Sequence, residues 1–120
     1  MNQPAAIPTI DVQEAAARRN GPDNPLVVDV REPDEFATVR LEGAALLPMS
    51  TFGDRHVQLP KDRPLLVMCH VGGRSAAATA HLIRSGWSNA VNVAGGIDAW
   101  ERAVLPVLRG TPKPGEGDLI

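Results

Sequence analysis

The sequence contains few aromatic residues and a single cysteine. Of its 120 residues, two are Trp, two are Phe and none is Tyr. A lone cysteine excludes an internal disulfide framework, and with only three scattered histidines, His56, His70 and His81, it does not close a zinc site. We therefore expect no structural metal and no cofactor.

An excess of basic charge and long apolar runs are both missing. The 12 basic and 14 acidic residues give a formal net charge of −2, without a basic run or interleaved aromatic residues, so we expect no nucleic-acid partner. No stretch is long and apolar enough to span a membrane, and the amino terminus lacks the basic start and apolar core of a signal peptide. The sequence predicts one domain with no membrane partner, located in the cytoplasm, where a free thiol stays reduced.

Short apolar runs alternate with helical patterns along the chain. Leu26–Val28 and Leu65–Met68 are continuous apolar runs, which are typical of strands buried on both faces of a parallel sheet. Asp11 and Glu14 have the spacing of a capping box and predict a helix over 12–19. This alternation favours an α/β domain with a mainly parallel sheet.

The two ends of the chain have compositions that predict loosely held segments: residues 1–8 are polar and contain two prolines, and residues 109–120 are rich in glycine, proline and charged residues. Residues 1–8 are predicted to form a flexible arm, and residues 109–120 a flexible tail. Residues 9–108 remain as the folded domain. Within it, the polar segment 50–59 is predicted to be irregular, with His56 in solvent.

The only cysteine, Cys69, directly follows an apolar run that predicts a strand. The residues after it form a glycine-rich loop, consisting of His70, Val71, Gly72, Gly73 and Arg74. Ser75 is suited to cap a helix that begins at Ala76. The buried face of that helix is predicted to hold Ala76, Ala80 and Ile83. Because backbone N–H groups and the positive end of a helix dipole then face the thiol, we interpret Cys69 as a nucleophilic thiolate. The alternative is a small buried hydrophobe.

A second polar group follows the other long apolar run. Asp29 ends the run that begins at Leu26, and in a parallel sheet it lies at the same edge as Cys69. Asp29 and Arg31 either frame the active-site loop or form a structural ion pair, and we favour the ion pair.

The segment from Cys69 to Ser75 resembles the active-site loop of the rhodanese family, Cys-x-x-x-x-Arg-Ser between a strand and a helix. LVVDVREPDEF, residues 26–36, is similar to the family's Asp-Val-Arg-Glu segment, and VNVAGGIDAW, residues 91–100, is similar to its Gly-Gly-x-x-x-Trp segment. The chain departs from the family at 40–44, where RLEGA replaces a His-Ile-Pro-Gly-Ala segment. The family's usual histidine therefore has no counterpart here.

The resemblance implies a five-stranded sheet with helices on both faces, and it implies a sulfurtransferase. Such an enzyme moves a sulfane sulfur from a donor such as thiosulfate onto Cys69, and then to cyanide or a thiol, either a small molecule or a protein. The loop amides from His70 to Arg74 are expected to hold the persulfide, with Asp29, Arg31 and Ser75 in support. Because His70 and Arg74 follow the cysteine, whereas mercaptopyruvate enzymes usually show a small neutral sequence there, we expect an inorganic or small anionic sulfane donor rather than mercaptopyruvate.

Two other functions remain open at this point. Cysteine phosphatases carry Cys-x-x-x-x-x-Arg, one residue longer than the spacing from Cys69 to Arg74, so the shorter loop favours a single sulfur atom over a phosphate. A rhodanese-like module that binds or regulates a partner without catalysis is the other alternative. The intact cysteine weighs against it.

Overall fold

The computed structural model describes residues 7–119, in which short strands alternate with helices. The strands are β1 Thr9–Ile10, β2 Leu26–Asp29, β3 Val39–Arg40, β4 Ala45–Leu46, β5 Leu65–Met68, β6 Ala90–Val93 and β7 Leu108–Arg109. The helices are α1 Val12–Arg18, α2 Pro33–Thr38, α3 Met49–Arg55, α4 Gly73–Arg84 and α5 Gly96–Arg102, with a 3₁₀ turn at His56–Gln58. Most of the predicted flexible arm, residues 1–6, lies outside the described residues, as does Ile120.

Five strands form one parallel sheet in the order β1-β6-β5-β2-β4. The central strand β5 is fully buried, as its unbroken apolar sequence predicts. Because all five strands point the same way, their carboxyl ends meet at one edge, where Asp29 and Cys69 lie. The predicted α/β fold with a five-stranded parallel sheet is confirmed.

Helices cover both faces of the sheet. Alternate side chains of a strand point to opposite faces, so Val67 belongs to one buried cluster and Leu66 to the other. The first cluster takes side chains from α3 and α4, and the second takes them from α1, α2 and α5. None of the helices within 7–119 combines the length and apolar character needed to cross a membrane.

Helix α4 begins earlier than the sequence predicts. Gly72, with φ of 116°, is the residue before the helix, so Ser75 is not the cap but lies inside the first turn. The fully buried residues of the helix are correspondingly Ser75, Ala78, Thr79 and Leu82, whereas the predicted Ala76 and Ala80 are only half-buried and the predicted Ile83 packs against the first cluster. The glycine makes the turn that a side chain would resist, and Ser75 is thereby directed towards the thiol.

The segment predicted to be irregular is helical. Helix α3 and the 3₁₀ turn occupy most of 50–59, and Phe52 anchors them in the cluster below α4. His56 is half-buried rather than in solvent, because its Nδ1 donates to the carbonyl oxygens of Phe52 at 3.2 Å and Gly53 at 3.0 Å. The polar composition of this segment predicts no helix, but the single buried side chain of Phe52 is enough to pack a short helix against the first cluster.

The carboxyl-terminal segment also differs from its prediction as a flexible tail. β7 pairs with β3 in a small antiparallel sheet, and Gly117 forms a bridge with Ala45 of the edge strand β4. Glu116 forms an ion pair with Arg40 at 2.6 Å, and Leu119 is buried in the first cluster. Backbone pairing of this kind has no composition signature, which is why glycine and proline content was misleading here.

Candidate active site

Cys69 lies at the centre of the sheet's carboxyl edge, between β5 and α4. Its side chain is only 1% exposed, although His70 and Val71 beside it face solvent, Val71 at 62% exposure. The loop therefore encloses the sulfur and leaves its neighbours outside. An attacking group reaches Sγ only if it is slender or if the loop opens.

Backbone N–H groups point at the sulfur from within the loop, as the sequence predicts. Gly72 N lies 3.1 Å from Cys69 Sγ and Ser75 N lies 3.4 Å from it. The Ser75 hydroxyl oxygen lies 3.4 Å from the same sulfur and is itself fully buried. Gly72 directly precedes α4 and Ser75 lies in its first turn, so the positive end of the helix dipole also faces Cys69.

The pKa of the Cys69 thiol lies below its ordinary value. Burial alone raises the pKa, because it disfavours the charged thiolate, but hydrogen bonds from the Ser75 side chain and from the backbone of Ser75, Gly72 and Val71 outweigh it. A lowered pKa increases the thiolate fraction, and the thiolate is the reactive nucleophile. The geometry thus supports the interpretation of Cys69 as a reactive thiol. Only the low exposure of Cys69 favours the alternative, a small buried hydrophobe.

A buried amide stands behind Ser75. Asn92 of β6 is 6% exposed, and its Oδ1 lies 2.6 Å from Ser75 Oγ. Asn92 is not among the predicted site residues, because a polar residue in an alternating strand usually faces solvent. A usable signal existed: in a parallel sheet covered on both faces, a strand asparagine is buried and needs a polar partner.

Arg74 binds Glu35 and fixes the end of the loop. Its guanidinium makes a bidentate ion pair with Glu35 of α2, at 2.7 and 2.9 Å. Chiefly because of the hydrogen bonds from Arg74, the pKa of Glu35 falls to about 2, and the pKa of Arg74 is raised in turn. Glu35 also accepts the backbone N–H of Glu32 at 3.0 Å, so α2 and the active-site loop are tied together.

Asp29 and Arg31 form the ion pair that we favour from the sequence. Arg31 Nη2 lies 2.7 Å from Asp29 Oδ2, and both side chains are almost completely buried. The same guanidinium donates to the carbonyl oxygen of Val39 at 2.6 Å. The pair therefore supports the chain after β2, next to the loop, and within residues 7–119 neither side chain forms a hydrogen bond with Cys69 Sγ.

The turn before α5 packs directly against the loop backbone. Ile97 N donates to Cys69 O at 2.8 Å, and Asp98 N donates to His70 O at 2.9 Å. A Cβ on Gly96 would stand 2.2 Å from Cys69 O and 2.7 Å from His70 O. Only glycine fits there, so this turn acts as a clamp on the first two residues of the loop.

A cleft of about 350 Å³ opens on the outer side of His70. Side chains of both charges line it, among them Glu35, Glu101 and Arg109. No group of three or more His, Cys, Asp or Glu side chains suited to a metal ion occurs within residues 7–119. The site is thus built around one thiol, backbone amides and a buried hydroxyl.

Known proteins share this arrangement of sequence and fold. The family model of the Rhodanese-like domain matches residues 11–103. A protein of Allochromatium vinosum named sulfurtransferase is 36% identical over 99 residues, which cover 82% of this chain and 92% of that protein. The thiosulfate sulfurtransferase GlpE of Actinobacillus succinogenes is 33% identical over 85 residues, covering 71% of this chain and 77% of that protein.

The crystal structure of a rhodanese-related protein from Thermoplasma volcanium superposes with a TM-score of 0.79 at 31% identity, covering 84% of this chain and 97% of that one. The residues matched by the family model, 11–103, include β5, Cys69 and the loop after it. This match agrees with the resemblance of the segment from Cys69 to Ser75. The chain belongs to the rhodanese-like domain family.

Proposed function

We propose that the chain is a thiosulfate sulfurtransferase that carries a sulfane sulfur as a persulfide on Cys69. The observation that carries this proposal is the enclosed sulfur, with Gly72 N and Ser75 N directed at it. Preorganised donors of this kind stabilise charge on a group held inside a loop. The relatives named sulfurtransferase and thiosulfate sulfurtransferase support the same reaction class.

The reaction consists of two displacements at sulfur. The Cys69 thiolate attacks the outer sulfur of thiosulfate, the S–S bond of the donor breaks, and sulfite leaves with the bonding electron pair. Cyanide or a thiolate then attacks the outer sulfur of the persulfide, which releases the Cys69 thiolate and forms thiocyanate or a new persulfide. Each step transfers one neutral sulfur atom, so no oxidant or reductant is consumed.

The loop suits the intermediate. The outer sulfur of the persulfide carries the negative charge, and we propose that the amides from His70 to Arg74 donate to it, as Gly72 N and Ser75 N donate to Sγ. Because Cys69 is buried, water is kept away from the persulfide, and only a slender donor, such as an anionic sulfane compound, reaches the sulfur. We propose such a donor in preference to mercaptopyruvate, with positive potential supplied by the amino terminus of α4.

The physiological acceptor is proposed to be a thiol, small or carried by a protein, with cyanide as its laboratory substitute. Because the sulfur is enclosed, a protein thiolate reaches it only where the loop opens, and the exposed loop residues His70 and Val71 lie on the side from which it would approach. A free Cys69 thiol persists in a reducing compartment, and we therefore propose the cytoplasm as its location.

Intact-mass spectrometry tests the proposal directly. After addition of thiosulfate, we expect one added sulfur atom, which cyanide or a thiol removes. The near-isosteric variant Cys69→Ser serves as the control and should remain unmodified. A folded protein that gains no sulfur from thiosulfate, mercaptopyruvate or glutathione persulfide would contradict the proposal and favour a non-catalytic binding module.

A further inference from the structure

Three polar side chains form a buried line from strand β6 to the nucleophile. Asn92 Oδ1 lies 2.6 Å from Ser75 Oγ, and Ser75 Oγ lies 3.4 Å from Cys69 Sγ. None of the three residues is more than 6% exposed. Polar groups buried in this way interact in a low dielectric, where the direction of each hydrogen bond matters more than in water.

The Ser75 hydroxyl has one proton and several acceptors within reach. The acceptors are Asn92 Oδ1 at 2.6 Å, Gly72 O at 3.2 Å and Cys69 Sγ at 3.4 Å. While Cys69 is a thiol, its S–H can donate to Ser75 Oγ, and the hydroxyl proton goes to Asn92. Once Cys69 is a thiolate it only accepts, so the hydroxyl proton stabilises it best by pointing at the sulfur.

A side-chain amide at position 92 can satisfy Ser75 in both states. Its oxygen accepts from the hydroxyl in the thiol state, and after rotation about the terminal torsion its NH₂ donates to Ser75 Oγ in the thiolate state. A hydroxyl that receives a hydrogen bond is also a stronger donor to its own acceptor. A carboxylate at the same position would only accept, and it would hold the proton away from the sulfur.

We propose that Asn92 is a positioning residue that acts through Ser75 to stabilise the Cys69 thiolate. The inference rests on the proposed function only in taking Cys69 as the nucleophile. Because Asn92 belongs to β6 and Ser75 to α4, the sheet and the helix together set the reactivity of the thiol. No proton is stored in the line: the thiol proton leaves to solvent when Cys69 ionises.

Other charged and titratable groups near the loop stay the same in the variants proposed below. They are the Asp29–Arg31 pair after β2, the Glu35–Arg74 pair between α2 and α4, and His70 next to the cysteine. Arg74 interacts electrostatically with Cys69 at longer range. In a variant that adds no charge, such as Asn92→Ala, a change in the titration of Cys69 therefore comes from the Asn92–Ser75 line.

Direct titration of the thiolate by its ultraviolet absorbance measures the effect without any sulfur donor. The chain has one cysteine and no tyrosine, so the pH-dependent absorbance of the thiolate belongs to Cys69 alone. For Asn92→Asp we expect the pKa of Cys69 to rise by about one unit or more, because the carboxylate both captures the hydroxyl proton and repels the thiolate. For Asn92→Ala we expect a rise of about half a unit, since the hydroxyl then turns towards Gly72 O.

Two further variants separate the proposed line from other effects. Ser75→Ala should itself raise the pKa of Cys69, and Asn92→Ala in the Ser75→Ala background should add nothing further. Thr79→Val is the matched control, since it removes another fully buried hydroxyl of α4, one that donates to Ser75 O at 2.7 Å, and it should leave the pKa in place. Asn92→Ala introduces no buried charge and keeps the test available should Asn92→Asp fail to fold.

Two results would overturn the inference. One is an unshifted Cys69 pKa in folded Asn92→Ala; the other is an equal shift from Asn92→Ala with and without Ser75. Because the titration needs no donor, a shifted pKa in a protein that transfers no sulfur would leave this inference standing and refute only the proposed function.

Discussion

Replacing Gly96 by alanine should damage the active-site loop from a position outside it. The residue has φ of +54°, and its added Cβ would lie 2.2 Å from Cys69 O and 2.7 Å from His70 O. Both contacts are with backbone atoms, which cannot move aside as a flexible side chain can. The α5 turn and the loop must therefore separate, by about 1 Å if the new contacts are to approach ordinary van der Waals distances.

The expected loss of stability and activity follows from the interactions that this separation breaks. A non-glycine residue in the left-handed region costs about 1 kcal/mol, and the loop loses or weakens the bonds from Ile97 N and Asp98 N, each contributing about 1 kcal/mol. We expect the free energy of unfolding to fall by about 3 kcal/mol, equivalent to a decrease in Tm of about 10 °C for a domain of this size. Misplacement of the reacting group by about 1 Å should lower kcat for sulfur transfer on the order of a hundredfold.

Calorimetry and a thiosulfate–cyanide assay measure these two effects. Gly43→Ala is the matched control, because Gly43 has φ of +80° but no atom within 4 Å of the added Cβ. It should show only the cost of the backbone conformation, about 1 kcal/mol, and an unchanged kcat. If Gly96→Ala is no more destabilised than Gly43→Ala and keeps its kcat, the clamp on Cys69 and His70 does not constrain the loop.

Four further predictions concern stability and selectivity. Deletion of residues 110–120 should lower Tm by several degrees, because it removes buried Leu119 and the bond from Leu46 N to Gly117 O at 2.7 Å; an unchanged Tm would return these residues to a flexible tail. Val104→Gly should raise the free energy of unfolding by about 1 kcal/mol, since exposed Val104 has φ of 58°, and a decrease in denaturant melts would refute this. The lowered pKa of Glu35, to about 2, contributes stability that is present above the unfolded value and lost as the pH falls from about 4.5 towards 2. Glu35→Gln should remove that part of the pH dependence, and identical acid-denaturation curves would show that the ion pair contributes nothing. Turnover of p-nitrophenyl phosphate should be absent, with the cysteine-to-serine variant as control; cysteine-dependent turnover at rates comparable to sulfur transfer would restore the phosphatase alternative.

The strands of the sheet and the first helix can be predicted from local sequence patterns. Leu65–Met68 and Leu26–Asp29 are the strands that their unbroken apolar runs predict, and Asp11 caps α1 through the bond from Glu14 N at 2.8 Å. The position of Cys69 between a strand and a helix follows from the same patterns. Signals of this kind depend on residues a few positions apart, so they can be read without the fold.

The contacts that complete the site join distant parts of the chain. Glu35 and Arg74 are 39 residues apart, and Ser75 and Asn92 are 17 apart. Each of these polar side chains could equally well be hydrated at the surface. The neighbouring residues in the sequence do not indicate which partner the fold brings to it. The same holds for Gly117, whose carbonyl pairs with an edge strand far earlier in the chain.

By itself, the sequence determined the alternation of strands and helices, the sheet edge at which Cys69 lies and the family to which the loop belongs, because hydrophobic period and turn residues act locally. Tertiary structure alone decided that Arg74 binds Glu35, that Asn92 stands behind Ser75, and that the carboxyl-terminal segment covers β4. Those outcomes depend on which polar groups become buried together, since a buried donor must find an acceptor wherever the packed chain places one.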